Sequence, residues 1–424
     1  MSAQSPDPRR ALRGQSLLWL TSTYPADEAD GAGRFVADLA QACARRGARC
    51  VVVTPARRSA PRSSIRIETG VVVRRFATPF AAGGRGLVDV EGLPQRIQRA
   101  PFSALALLPA YLAAFAAAAQ AAENDERCDA VVAQWLVPSG VLAASHPAFQ
   151  RQRRAGRVVA VAHSSDVSAL EKLPANRALA RWLSANVRVG ATSAWLAERL
   201  TKLGVTNVAD LRLGCFDALG GAAEAAVADA GAPATSPQSW TPVVLSRLVA
   251  GKGLERAVAV AARLPGRRLR VLGDGPLAAS LGGLAAGLKV DLQAHGMVTG
   301  ARKAALLADA DVLFFLPGRQ DRWGQQDNLP VAVLEALSAG VAVVASAVGA
   351  LPTAFAPSDA LRLVDPDASD GEIAAVVVDL LGAKTSRDHY SDGARALAAP
   401  FAMDAAIDRL IAALGGTAAA TDAP

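Results

Sequence analysis

At 424 residues, 51% of them hydrophobic, the chain is long enough for two domains with full cores. It holds no uninterrupted apolar run of about twenty residues, as a membrane span needs, and its four scattered cysteines (Cys43, Cys50, Cys128, Cys215) lack the spacing of a metal site. The net charge of +7 is uneven: Lys and Arg outnumber Asp and Glu by 28 to 16 over residues 1–216 and trail them by 17 to 22 over 217–424. Nucleic acid is not the expected partner, because no binding module or aromatic–basic interleaving accompanies the charge.

In chain order, residues 1–15 carry charge with no apolar core after it and read as a flexible leader, not a signal peptide. With no secretion signal, the cysteines point to a reducing, cytoplasmic setting. "SLLWLTS" (16–22) and "RCVVVTP" (49–55) read as buried parallel strands, with the helix "RFVADLAQACARRG" between them. "PFSALALLPAYLAAFAAAAQAA" (101–122), interrupted by Pro109, is predicted to be a surface or core helix. "DAVVAQWL" and "RVVAVAHSS" continue the alternation. The second half restarts it with "PVVLSRL" (242–248), "RLRVLGDG" (268–275), "ADVLFFLPG" (310–318) and "VAVVASAVG" (341–349).

Continuous apolar strands alternating with helices mean parallel sheets covered on both faces. The fold expected is therefore α/β, with two Rossmann-like doubly wound domains facing a central cleft. The first spans 16–216 and the second 242–400, with a small-residue, Gly/Pro/Ser-containing linker over 217–241. Ligands of such sheets bind beyond the carboxyl ends of the strands, so the motifs there carry the functional reading.

"QQDNLPVAVLEALSAG" (325–340) marks a helix that Asn328 can cap, Pro330 can open and Gly340 can end. Its amino end suits a phosphate. Glu335 lies about a turn and a half inside, among apolar residues where a carboxylate needs a partner. The expected partner is a ligand hydroxyl such as that of a ribose; the alternative is a neighbouring loop. "SRLVAGKGLERAV" (246–258) places Arg247 and Lys252 in a Gly-bounded loop before a helix, a combination suited to a departing diphosphate. "DGAGRFVADLA" (30–40) is a Gly-rich entry to a helix, but Val36 stands where a dinucleotide fingerprint has its third Gly. The second strand also ends in "VVVTP" without an acid for a ribose, which argues against NAD or FAD. His163 and Asp166 follow a strand end and are candidates for ligand contact.

Taken in order, "YPADEADGAGRFVADLAQACARRGARCVVVTP", "HSSDV", "ATSAWLAERL", "SRLVAGKGL", "VLGDGP", "ADADVLFFLPG" and "DNLPVAVLEALSAGVAVVAS" resemble the retaining GT-B glycosyltransferases of family four (group 1) over about residues 16–415. Most specific is an acid, seven residues, then Glu, here Asp327 and Glu335. The resemblance implies that Glu335 holds the nucleotide ribose and Asp327 the donor-sugar hydroxyls. The amides of Asn328 and Leu329 would lie near the donor, and Arg247 and Lys252 on its diphosphate. Gly33 would let the first domain's loop close on the donor. His163 would approach the sugar near the anomeric centre, with Asp166 on the acceptor side. It implies hexose transfer from a nucleotide sugar, UDP- or GDP-linked first, to a hydroxyl acceptor with retention and without metal or other cofactor. The residues over 401–415 resemble the helix that crosses back to the first domain, and 416–424 would be a tail.

Departures from the family pattern are Asp327 for the more frequent Glu, Asn328 for Gly, and Ala350 and Thr353 for Gly and Glu. "LGCFDA" lacks an Asn and keeps only Asp217. They motivate a second reading, an inactive glycosyltransferase-like scaffold in polysaccharide or glycolipid assembly. The basic excess of the first domain reads either as an arginine-rich surface or as a face for something anionic, such as a lipid-linked acceptor or a membrane, with peripheral attachment at its inner face.

Overall fold

The computed structural model describes residues 12–27, 30–56, 64–66, 70–78, 101–215, 240–319, 327–382 and 388–415. Residues 217–239 of the expected linker, with Asp217, and the tail (416–424) lie outside them. The chain divides into two compact units, 1–214 with 403–424, and 215–402.

The first unit is built on eight strands: β1 (Ser16–Leu20), β2 (Arg49–Pro55), β3 (Ser64–Arg66), β4 (Val71–Phe76), β5 (Ala130–Gln134), β6 (Val158–Ala162), β7 (Arg188–Ala191) and β8 (Ala209–Asp210). They lie in the order β3-β4-β2-β1-β5-β6-β7-β8. Seven run parallel and β3 pairs antiparallel with β4. Every residue of β5 and β6 is buried, which is why both read as apolar runs up to Gln134 at the end of β5. Helix α1 (Arg34–Arg45) returns the chain from β1 to β2. The C-terminal helix Met403–Ala413 packs on α1, where Arg46 pairs with Asp404 at 2.8 Å and also with Asp408. Residues 12–15 are not part of a loose leader. Leu12 is buried, and the Gln15 carbonyl accepts from Arg49 N–H at 2.8 Å.

Helix α2 (Pro101–Glu126) carries Pro109 inside it, and over Ala106–Glu126 it is long and apolar enough to cross a bilayer by length and composition. One stripe of it, Tyr111, Phe115, Ala119 and Ala122, is fully buried and packs on β1, β2 and β4, with the Phe115 ring stacked 5.0 Å from Phe76. Leu112 on another face is exposed. This is a helix lying on a sheet. All four cysteines are buried and none forms a disulfide.

The second unit holds six parallel strands: β9 (Pro242–Leu245), β10 (Arg268–Leu272), β11 (Asp291–Ala294), β12 (Val312–Phe315), β13 (Ala342–Ser346) and β14 (Leu361–Val364). Their order is β11-β10-β9-β12-β13-β14. Helices α3 (Leu254–Ala261), α4 (Ala278–Gly287), α5 (Gly300–Ala308) and α6 (Val331–Ser338) connect successive strands. In each unit the winding reverses once, between β1 and β5 in the first and between β9 and β12 in the second. Loops on either side of such a reversal diverge and leave a crevice at the strands' carboxyl ends.

Candidate functional site

In the second unit the candidate residues gather at that reversal. The loop from β9 to α3 carries Arg247 and Lys252, and the segment after β12 carries Asp327, Asn328 and Leu329 before entering α6. Gly253, at φ +71°, lets these two stretches touch: a Cβ there would collide with the Leu316 carbonyl that follows β12. Lys252 Nζ donates to both carboxylate oxygens of Asp327, each at 2.7 Å. With side chains 23% and 29% exposed, this pair remains open to solvent and to a ligand. Arg247 is exposed and pairs with no carboxylate among the described residues.

Glu335 occupies the fifth position of α6, between the buried pairs Val333–Leu334 and Ala336–Leu337. The expectation that the ligand alone would partner it is corrected. Lys303, in the first turn and a half of α5, donates from Nζ to Glu335 Oε1 at 2.6 Å. Within the protein the partner is therefore a second helix and not a neighbouring loop. Asn328 does not cap α6 either: the N-cap position falls on Pro330, without a side-chain cap bond. Asn328 instead uses its carbonyl to accept from Ala350 N–H at 3.1 Å, and the buried Leu329 anchors the segment. Gly340 does end the helix, in the left-handed region at φ +72°.

In the first unit Gly33, His163 and Asp166 lie at the carboxyl ends of β1 and β6. Gly33 is the N-cap of α1 at φ +73°, and a Cβ would strike the Thr23 carbonyl. Phe35 then meets two rings, Trp135 after β5 (centroids 5.8 Å apart) and His163 after β6 (5.0 Å), while Trp135 and His163 lie 4.9 Å apart. Trp135 holds φ +67°, a conformation a bulky residue rarely adopts. His163 Nε2 is 2.8 Å from Gln134 Oε1. An amide oxygen only accepts, so this imidazole carries its proton on Nε2.

Burial lowers His163 to about 3, so near neutral pH the ring is uncharged and is not a proton donor of the imidazolium kind. Asp166 is reassigned. It is only 2% exposed, and its carboxylate accepts from the N–H groups of Leu136 (2.6 Å), His163 (2.8 Å) and Val167 (2.9 Å). It ties the loop after β5 to the helix after β6, with both carboxylate oxygens already bonded to backbone N–H groups. The signal was in the sequence: an acid three residues after an N-cap is the capping-box spacing. Gln134, Trp135 and Phe35 had no such signal and emerge only from the strand order.

The two buried groups make opposed contributions to stability. Burial raises Asp166 to about 7 despite its three N–H donors. Its contribution is complete below its ordinary 3.8 and is lost as pH rises toward 7. His163, lowered from 6.5, contributes fully above 6.5 and loses that contribution as pH falls toward 3. Between about pH 4 and 6.5 the slopes cancel. On acidification across that window, His163→Gln is expected to gain and Asp166→Asn to lose on the order of 1 kcal/mol per pH unit, so the two diverge by roughly twice that. Urea unfolding of both variants at the two ends of the window measures this, and equal slopes would contradict it.

Two open units, each wound about a reversal point with polar groups at its strand ends, define the GT-B architecture. Sucrose-phosphate synthase from Thermosynechococcus elongatus shares it with a TM-score of 0.65 at 18% identity, over 92% of this chain and 96% of that one. HepE from Anabaena, solved with UDP, gives 0.63 at 15%, over 95% and 99%. WaaG, described as a glycosyltransferase of lipopolysaccharide biosynthesis, gives 0.62 at 16%, over 95% and 100%. No curated protein sequence matches the chain. A family model for glycosyltransferase family 4 matches residues 29–209, and one for glycosyl transferases group 1 matches residues 233–397. The chain belongs to the group 1, family four glycosyltransferases.

Proposed function

We propose that the chain transfers a hexose from a nucleotide sugar to a hydroxyl acceptor, retaining configuration and needing no metal. The observation that carries this is the convergence of Lys252, Asp327 and Glu335 at the β9/β12 reversal of one sheet. Lys252 and the exposed Arg247 offer two cations to a diphosphate whose charge grows as it leaves. Asp327, held at both oxygens by Lys252, presents lone pairs to sugar hydroxyls, and Glu335 keeps one oxygen for the nucleotide ribose. The uncharged His163, boxed by Phe35 and Trp135, is assigned to the reacting sugar as a hydrogen-bonding group.

A UDP-sugar is the first donor to test, because HepE has been solved with UDP and with UDP-glucose. We place the acceptor among lipid-linked or cell-envelope glycan intermediates and the protein at the cytoplasmic face of an anionic membrane. The basic excess of residues 1–216 and the lipopolysaccharide role named for WaaG and WaaB support that placement. Donor hydrolysis assayed with UDP-, GDP-, ADP- and TDP-sugars is expected to single out one base. In the same samples the protein should sediment with anionic vesicles and not with zwitterionic ones. Failure to bind any nucleoside diphosphate would sink the enzyme reading, and sedimentation indifferent to lipid charge would sink the membrane placement.

A further inference from the structure

Glu335 carries a feature that its place in the family's motif does not explain. Its side chain is only 14% exposed, and the two residues on each side of it are fully buried. One oxygen, Oε1, takes a 2.6 Å bond from Lys303 Nζ; the other, Oε2, accepts from no described residue. Lys303 belongs to a different helix, α5, whose first turns stand beyond the carboxyl end of β11. Its side chain is 23% exposed, so the ammonium keeps contact with water while bonding the acid.

A pair of this exposure contributes little net stability, because desolvation and side-chain ordering offset most of the attraction. Helix α6 is in any case fixed by Val333, Leu334, Ala336 and Leu337, all fully buried. What the pair does supply is direction. An isolated Glu on this helix can rotate about three side-chain bonds, whereas a Glu bonded at Oε1 holds Oε2 in one place. Pre-ordering a polar group removes an entropy cost that binding would otherwise bear.

We propose that Lys303 is a positioning residue that fixes the Glu335 carboxylate so that Oε2 is preset for a ribose hydroxyl of the donor. This rests on the reading of Glu335 as the ribose acceptor. Lys303 itself touches no part of the nucleotide in this assignment.

The two readings separate in one titration series. The probes are whichever of UDP, GDP or ADP the wild type binds most tightly, together with its 2′-deoxy and 3′-deoxy forms. The wild type is expected to favour the ribonucleotide over one deoxy form by about tenfold, the worth of one well-placed hydrogen bond to a charged group. Glu335→Ala should bring that ratio close to one. Lys303→Met, which keeps the apolar stem, should do the same while changing affinity for the discriminated deoxy form by less than about twofold. Lys303→Arg should restore most of the ratio. If Lys303→Met does not fold, Lys303→Gln carries the same comparison.

A wild-type ratio retained in the Lys303 variant overturns the positioning role and leaves the Glu335 reading intact. An equal loss for ribo and deoxy forms also overturns it, since Lys303 would then act on phosphate or on the fold. A wild type that does not discriminate, or a Glu335→Ala variant that still does, removes the ribose reading and this inference with it.

Discussion

Lys252→Ala is expected to lower kcat/KM by about 10²–10³-fold, the usual consequence of removing one group that stabilises developing charge, while the protein remains folded. The loop that carries Lys252 is shaped by two glycines in the left-handed region, Gly251 (φ +87°) and Gly253 (φ +71°), so its backbone course does not depend on the lysine. The Lys252–Asp327 pair is partly exposed, and its loss should cost no more than about 1 kcal/mol of stability. Two effects act on turnover: the leaving diphosphate loses a cation, and Asp327 loses the ammonium that holds both of its oxygens. Asp327→Ala and the double variant separate them. If Lys252 serves only to hold Asp327, the double variant matches the more damaged single one. If it also meets the diphosphate, the double variant is worse than Asp327→Ala by the loss of that independent contact, and the coupling in the cycle is only partial. Steady-state kinetics with thermal unfolding of all three variants decides this, and unchanged turnover in Lys252→Ala would remove the lysine from the site.

The parts of the fold legible in the sequence are those where burial is uniform. β5, β6, β12 and β13 are buried at every position and read directly as apolar runs. β11, with its outer residues exposed, and the two-residue β8 sit at sheet edges. There one face is wet and the chain is short, so neither announces itself. The site divides in the same way. Asp327 and Glu335 share one continuous segment, and their spacing survives as a motif. Lys303 lies 32 residues before Glu335 on another helix, and only the strand order β9-β12 with α5 and α6 beside it brings the two together. Asp166 differs for another reason: its place three residues after the N-cap His163 is a local capping-box spacing, and that accounts for its N–H partners without any ligand at the strand end.

Gly349→Ala is the substitution expected to damage the second unit most. Gly349 holds φ +59°, and a Cβ would land inside the backbone carbonyl oxygen of Asp327 and 2.7 Å from that of Asn328. The next residue, Ala350, donates its N–H to the Asn328 carbonyl, so the turn after β13 is the seat on which the 327–329 backbone rests. Alanine in the left-handed region costs about 1 kcal/mol, and the overlap has to be relieved by moving backbone on both sides. A total near 3 kcal/mol is expected, a fall in Tm of roughly 6–12 °C for a unit of this size. Nucleotide affinity should fall with it, because Asp327 cannot keep its place against Lys252. Gly283→Ala is the contrasting variant. It lies inside helix α4 with open space around its Cβ position, and there alanine should stabilise by about 0.5–1 kcal/mol. Calorimetry and nucleotide titration on the two variants check the argument; a Gly349→Ala protein that melts and binds as the wild type does would show that the seat is dispensable. The same geometry explains why the neighbouring departure from the family pattern is harmless. Ala350 stands where the family usually has a second glycine, but its backbone is ordinary right-handed helix at φ −84° and ψ −12°, so a side chain there meets no conformational penalty, and only Gly349 is obligatory.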